Sequence, residues 1–295
     1  MIAPFNPKET ATVIENLSEA FGVIAHIGNA VMGKTVVDLS RVTYTPPSFI
    51  MPLLFTAQSM AHNVEWLCSN SLKDIEFPHG LDTQNIRRVQ LKAALNHYAS
   101  KDYIAIVRFP ASTDTEDNTS EIVSCVEARL YEHLHAYPTS IINGLRYIIG
   151  EIVDNVTQHS QSPHGYLYSL INRNNAYVEI AIADRGIGLL GSYHANDDKD
   201  ICSDLEAMQA ANRGISTKNR PEAENRGFGI ITSTRMIIDG LKGTYAMISG
   251  NALSIKGPTA TQYMQLAPDI KFDGTIVLFR IPLTTTDFNY INYIE

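Results

Sequence analysis

An acid, an amide and an imidazole recur at four-residue intervals in the stretch EIVDNVTQHS, as Glu151, Asn155 and His159. In an α-helix each such step turns by only about 40°, so the three side chains would share one face of the helix. A carboxylate, an amide oxygen and an imidazole in one row can move protons or hold a ligand. The same row also describes an ordinary solvated face of an amphipathic helix.

A second group of residues follows a strand-like run. The segment AYVEIAIADRG (176–186) leads into DRGIG, in which Asp184 precedes Gly186 and Gly188. Two glycines let the backbone turn sharply and approach a flat ligand, and the carboxylate accepts a hydrogen bond from that ligand. A plain turn at the end of a strand has the same composition, so the motif alone is a weak signal.

Two further motifs lie near the C-terminal end of the sequence. Gly227 and Gly229, in ENRGFGI, lead into the helix-like run IITSTRMIIDG, and Thr275 follows Gly274 in the strand-like run DGTIVLFRIP (273–282). Backbone N–H groups at the start of a helix can bind phosphate, although many loop-to-helix junctions look alike. The order of the motifs is therefore more informative than any one of them.

The elements that must position these residues alternate between strands and helices, which predicts an α/β (α+β) fold. In the front third, strand-like runs lie at 34–40 and 102–110, and helical periodicity covers 49–67 and 84–98. The polar stretch 111–120 is the best candidate for a linker, so we predict domains at 1–112 and 113–295.

The second predicted domain opens with two helices, at about 119–136 and from Pro138 to His159. Two strand-like runs follow, at 165–173 and 176–186, joined by a hairpin-like turn at Asn174 and Asn175. The order helix, helix, strand, strand thus brings the row of polar residues directly before the Asp184 motif.

Composition limits the classes of function. The chain has 295 residues, 44% of them hydrophobic, and a net charge of -8, which argues against a broad nucleic-acid surface. No apolar run is long enough for a membrane span and the N-terminus lacks the features of a signal peptide, so we expect a cytoplasmic protein. Its three cysteines are far apart and no HExxH pattern occurs, which makes a disulfide framework or a protein-bound zinc site improbable.

Taken in order, an ExxxN helix, strands ending in DxGxG, a variable segment, RGxG before a helix and a GT-strand resemble the GHKL ATPase superfamily. That superfamily includes gyrase-type topoisomerases, MutL-like proteins, sensor histidine kinases and anti-sigma-factor serine kinases. The resemblance covers about residues 120–285. It implies an α/β sandwich, a mixed sheet with helices on one face, that binds ATP with Mg²⁺.

The resemblance assigns roles to single residues. It implies that Asn155 contacts the nucleotide-bound Mg²⁺, that Glu151 is the general base on the attacking water and that His159 lies near the phosphates. Asp184 would accept a hydrogen bond from the adenine amino group. The supporting residues would be Gly186 and Gly188 in the adenine-side turn, Thr275 beside Asp184, and Gly227 and Gly229 at the phosphates.

Residues 189–226 would form a lid over the nucleotide, and their polar, irregular sequence is typical of one. Four cations there are candidates for the γ-phosphate, Arg226 above all, although each alone is ordinary surface charge: Arg213, Lys218, Arg220 and Arg226. The sequence departs from the family at Asn225, which replaces a glycine, and at Gln158, which replaces a lysine of many histidine kinases. No phospho-acceptor motif of the H-E/D-x-x-x-P type precedes the domain, which disfavours a complete sensor kinase.

The front segment VVDLSRVTYTPPSFIMPLL is similar to the strand, loop and helix of STAS domains, in which this loop carries a phosphorylated serine. Ser48 falls at that position, but Pro46 and Pro47 replace the family's acidic residue and first serine. A strand-turn-helix of any α/β domain accounts for the segment equally well.

Two functions follow from these resemblances. The first is an ATP-binding regulatory switch with slow Mg²⁺-dependent ATPase activity, in which the nucleotide repositions the STAS-like domain or a second subunit. The second is a serine/threonine kinase that phosphorylates a STAS-type partner. Nucleotide binding without turnover is a third possibility. The expected partners are ATP or ADP and another protein or a second subunit, with no nucleic acid and no membrane.

Overall fold

The computed structural model describes residues 5–28, 35–60, 64–84, 86–198, 200–215, 229–284 and 288–294. Its helices are α1 Val13–Gly28, α2 Pro47–Ser59, α3 Asn70–Asp74, α4 Arg88–Asn96, α5 Glu116–His133, α6 Thr139–His159, α7 Gly188–Ala195, α8 Asp204–Asn212 and α9 Gly229–Arg235. Its strands are β1 Thr35–Leu39, β2 Val64–Cys68, β3 Leu81–Asp82, β4 Tyr103–Pro110, β5 His164–Asn172, β6 Tyr177–Asp184, β7 Thr244–Gly250, β8 Ala252–Lys256, β9 Thr261–Gln265 and β10 Phe272–Pro282.

One mixed sheet of eight strands organises the molecule. Its order is β3-β4-β5-β6-β10-β7-β8-β9, with β3 and β4 parallel and every other neighbouring pair antiparallel. Strands β1 and β2 form a separate parallel pair, and α2 is the connection between them. The predicted α+β class is confirmed. Among the described helices, none is both long and apolar enough to cross a membrane.

Helices cover both faces of the large sheet. Apolar residues of α1 and α2 pack on one face, and those of α4, α5, α6 and α8 pack on the other. Strand β6 is consequently buried at every position, which explains why its sequence is almost continuously apolar. The large helices after residue 113 pack on one face, and α1 and α2 cover the opposite face as a third layer.

The large sheet continues across the predicted domain boundary at residue 112. Strand β4 pairs with β5 along most of its length, from Tyr103 opposite Leu170 to Pro110 opposite His164. Residues of the front third therefore supply one of the inner strands of the sheet. A STAS-like unit at 1–112 remains a prediction, since this segment has the separate pair of β1 and β2 but also contributes β3 and β4 to the large sheet.

Several element predictions need correction. The helical periodicity over 49–67 ends at Ser59, and Val64–Cys68 is a strand, because its bulky residues pair with β1. The predicted lid is not irregular throughout, since α7 and α8 lie inside 189–226. Strands β7, β8 and β9 were not predicted.

The elements that carry the predicted site agree closely with the sequence. The helix expected from Pro138 to His159 is α6, and its apolar stripe, including Leu145, Ile149 and Ile152, is buried. The two strands and the hairpin turn between them are β5 and β6. The last strand is β10, and the helix after the second glycine motif is α9 followed by a π-helical turn at Met236–Gly240.

A buried ion pair within the sheet also binds the front layer, which is formed by α1 and α2. Glu179 on β6 is fully buried and accepts a hydrogen bond of 2.7 Å from Nε of Arg280, its partner on β10. The other carboxylate oxygen accepts the backbone N–H of Ser48, in the first turn of α2, at 2.6 Å. Ser48 itself is 0% exposed and its hydroxyl accepts a hydrogen bond from Asn16. In this fold, Ser48 is thus enclosed and hydrogen-bonded.

We predict that Arg280→Met destabilises the protein by about 3–5 kcal/mol, because it leaves the Glu179 carboxylate buried without a compensating charge. Urea denaturation measures the change. The matched control is Arg173→Met, which breaks the exposed ion pair between Arg173 and Asp102 and should cost about 1 kcal/mol or less. Equal losses in the two variants would contradict a structural role for the buried pair.

Candidate functional site

A cavity of about 110 Å³, several times the space that one water molecule needs, opens beside α6. Its walls come from α6, α7, the end of α8, the start of α9 and the strands β6, β7 and β10. Residues separated by more than 120 positions thus meet in one place. The predicted site residues that line the cavity are Glu151, Asn155, His159, Asp184, Gly188, Gly229 and Thr275.

The polar row of α6 faces this cavity. Glu151, Asn155 and His159 all line it and all are partly exposed, while Ile152 and Val156 beside them are buried. The row is therefore directed into a cleft, and the alternative of a plain solvated helix face is wrong. A carboxylate and an amide one turn apart present oxygen atoms side by side.

Asp184 lies at the opposite wall, at the end of β6, and is 4% exposed. Its Oδ1 accepts a hydrogen bond of 2.8 Å from the backbone N–H of Gly186, two residues further on. Burial raises the pKa of the Asp184 carboxyl to about 7, and hydrogen bonds from the backbone N–H groups of Gly186 and Thr275 partly oppose that shift. The carboxyl therefore changes protonation near neutral pH, and a buried titratable group that lines a cavity is a candidate for ligand recognition.

The turn after Asp184 requires its glycines. A side chain at Gly186 would begin 1.7 Å from the carbonyl oxygen of Ser160, since the turn packs directly on the end of α6. The next residue, Ile187, donates its backbone N–H to the same oxygen at 2.8 Å. Gly188 has a φ of +65°, which other residues rarely adopt. Gly186 does not line the cavity but fixes the turn, and Gly188 does both.

Thr275 stands directly opposite Asp184 in the pairing of β10 with β6. Ser249, on β7, contacts Thr275 from the side of β10 that faces away from Asp184 and β6. Its hydroxyl lies 3.3 Å from that of Thr275 and accepts the backbone N–H of Leu189, at the start of α7, at 2.9 Å. Sequence reasoning missed Ser249, although it lies in an apolar run where a hydroxyl needs partners.

Gly229 approaches Glu151 closely. A side chain at Gly229 would begin 2.2 Å from Oε2 of Glu151, so any other residue there would require the Glu151 carboxylate to move. The second glycine motif thus meets the polar row of α6 at the same end of the cavity.

Apolar side chains make up most of the remaining wall. They alternate along the strands, which places every second residue of β6, β7 and β10 on the cavity face. Tyr193 closes one side by donating its hydroxyl to the carbonyl oxygen of Ile215 at 2.6 Å. A mostly apolar cavity with a few polar groups suits a flat aromatic ring. The strand and helix residues concerned are Ile152, Ile182, Leu189, Tyr245, Met247 and Val277.

Part of the predicted site lies outside the described residues, namely Lys218, Arg220, Arg226 and Gly227. Arg213 is described, but it is exposed and does not line the cavity. Among the described lining residues, the formal charges are the carboxylates of Glu151 and Asp184, and none is a lysine or arginine. The described lining residues alone therefore do not supply positive charge to neutralise a polyanionic ligand.

Within the described part of the chain, no group of three or more His, Cys, Asp or Glu side chains is placed to hold a metal ion. A cation at this site would therefore have few ligands from the protein. Asn155 and Glu151 offer the hard oxygen atoms that Mg²⁺ prefers, and Mg²⁺ commonly takes one or two protein oxygens with the rest from phosphate and water.

Comparisons of the chain with family models, with curated proteins and with solved structures gave no match. Its function is accordingly inferred from the chemistry of the cavity.

We predict that Asp184→Asn removes a pH-dependent loss of stability. The pKa of Asp184 is higher in the folded than in the unfolded chain, so the unfolded chain loses this proton at a lower pH. Wild-type stability therefore falls as pH rises from about 4 to about 7, and this contribution is level above pH 7. The amide cannot ionise, so the variant should gain on wild type by about 1.4 kcal/mol per pH unit across that window. Urea denaturation at pH 5 and pH 8 measures the difference, and an identical offset at both values would refute the assignment.

Proposed function

We propose that the protein binds ATP with Mg²⁺ in this cavity, hydrolyses it slowly and acts as a nucleotide-driven regulatory switch of the GHKL type. One observation carries the proposal. Asn155, Asp184 and Thr275, which the GHKL resemblance assigns to the same nucleotide site from three separate parts of the sequence, all line one cavity.

The base-binding end is the part around Asp184. Its carboxylate accepts a hydrogen bond from an exocyclic amino group, and the apolar side chains of Ile182, Met247 and Val277 pack on the faces of a planar ring. Because burial raises the pKa of Asp184 to about 7, binding that uses the ionised carboxylate strengthens as pH rises through neutrality. We expect adenine to be preferred to guanine, as the resemblance implies.

The phosphate end is the part between α6 and Gly229. Asn155 would hold Mg²⁺ through its amide oxygen, and this ion would supply positive charge that the described lining residues lack. Glu151 orients a water molecule and takes its proton as the water oxygen attacks the terminal phosphorus and the bond to the leaving phosphate oxygen breaks. The predicted cations at Lys218 and Arg226 are the candidates for the remaining charge.

The burial of the front layer bears on how such a switch would act. Helix α2 is buried from Pro47 to Ala57, so displacing it would expose the apolar core between α1 and the sheet. We therefore place the nucleotide-dependent change in the predicted lid, or in a second subunit that contacts it, in preference to a repositioned front segment. The enclosure of Ser48 likewise disfavours it as a phosphate acceptor within the folded chain.

Nucleotide-dependent stabilisation tests binding directly. We expect ATP with Mg²⁺ to raise the unfolding midpoint by several degrees at saturating concentration, because a ligand that binds only the folded state stabilises it by mass action. GTP should raise it less, and Asn155→Ala should abolish most of the Mg²⁺-dependent part. The control is Asn174→Ala, on the exposed turn between β5 and β6. Equal midpoints with and without ATP would refute the proposal.

Phosphate release tests the role of Glu151. We expect Glu151→Ala to keep ATP affinity and to lose hydrolysis by about 10²- to 10⁴-fold, since a general base contributes about that much. Asp154→Ala is the matched control, because it removes an exposed carboxylate of the same helix that does not line the cavity. Equal slow rates in wild type and Glu151→Ala would contradict the assignment. With γ-labelled ATP, label on a protein in place of free phosphate would favour the kinase alternative.

A further inference from the structure

The last turn of α2 contacts the strand ends that carry the cavity. The hydroxyl of Tyr166 on β5 donates to Oε1 of Gln58 at 3.0 Å, and Nη2 of Arg185 donates to Oγ of Ser59 at 2.8 Å. Tyr166 is paired with Ala183, the residue before Asp184, and Arg185 is the residue after it. Both neighbours of Asp184 are thus linked to the same helix end.

Arg185 also faces the strand on the other side of Asp184. Its Nη2 lies 4.0 Å from Oδ2 of Asp273, two residues before Thr275 on β10. The Arg185 side chain is 28% exposed, and its Nε is buried with no hydrogen-bond partner among the described residues. Arg185 does not line the cavity, so its guanidinium lies behind the turn formed by Asp184 and Gly186.

The opposite end of α2 is fixed independently. There the backbone N–H of Ser48 is held by Glu179, five residues before Asp184 on β6. A helix that is fastened at one end by a buried ion pair and packed along its length is a rigid support. The contact of Arg185 with Ser59 connects that support to the turn of Asp184.

We propose that Arg185 is a positioning residue for the nucleotide site, which holds the Asp184 turn in its binding geometry by tying it to α2 and to β10. The inference rests on the proposed function for its ligand, but the geometry of the turn exists without one. Through this contact, helix α2 of the front layer helps to hold the site. A separate domain or a mobile segment could not do so. Because the Asp184 carboxylate is already in place before the ligand binds, less free energy is lost in ordering it on binding.

The first experiment needs no nucleotide. The backbone N–H of Gly186 donates to Asp184, so its hydrogen-exchange rate reports whether the turn is formed. We expect Arg185→Gln and Ser59→Ala each to accelerate this exchange by about tenfold, while the amides of central strand β6 and the urea midpoint stay close to wild type. Arg173→Gln, at an exposed ion pair at the opposite end of the β5–β6 pair, should leave Gly186 unchanged. Unchanged Gly186 exchange in Arg185→Gln would overturn the proposal.

The second experiment measures ATP affinity by calorimetry. We expect Arg185→Gln and Ser59→Ala each to weaken binding by about three- to tenfold, and Arg185→Lys, which keeps a donor and a charge, to restore part of the loss. If Arg185→Gln weakens binding while Ser59→Ala does not, Arg185 acts through its charge and not through its contact with α2, and the positioning role is wrong. Absence of ATP binding in wild type would refute the proposed function alone, since Gly186 exchange still decides the role of Arg185.

Discussion

The antiparallel register of β6 against β10 is the constraint on which the rest of the molecule depends. It sets Thr275 opposite Asp184 and, five residues away on each strand, Arg280 opposite Glu179. Because side chains alternate along a strand, the first pair faces α6 and the cavity, and the second pair faces α2. A slip of one residue would exchange the two faces and leave buried carboxylates on both without partners. The apolar residues between the two pairs, buried on both sides, make such a slip costly.

Because of this register, the helices on the two faces of the large sheet contribute to the site in different ways. On one face, α6 supplies Glu151 and Asn155 to the cavity and is held in place by its own apolar stripe. On the other face, α2 is tied to Glu179 at its start and contacts Arg185 at its end. The front third of the chain is thereby part of the scaffold of the proposed nucleotide site, and its strand β4 belongs to the same sheet.

The sequence predicts the parts of this arrangement that have strong local periodicity. Helix α6 combines a polar row with an apolar stripe, and β5, β6 and β10 are mostly apolar runs next to turn-forming residues, so each is recognisable. Strands β8 and β9 are short and mixed in composition, and pairing within the sheet makes them strands, whereas β7 is mostly apolar and was missed. The strand Val64–Cys68 was hidden because its residues continue the helical periodicity of α2. The third layer was beyond prediction, since it depends on which face of β6 the front helices cover.

Within the site, Ser249, Tyr193 and Arg185 matter through contacts that join distant segments, and single-sequence patterns carry no such information.

We propose that one cavity receives both the base and the phosphates of a purine nucleotide. The most direct measurement is a crystal structure of the protein grown with Mg²⁺ and a non-hydrolysable ATP analogue. We expect the purine amino group within hydrogen-bonding distance of the Asp184 carboxylate and the triphosphate beside Asn155 and Glu151. Nucleotide density elsewhere on the molecule, or a purine held without contact to Asp184, would contradict it.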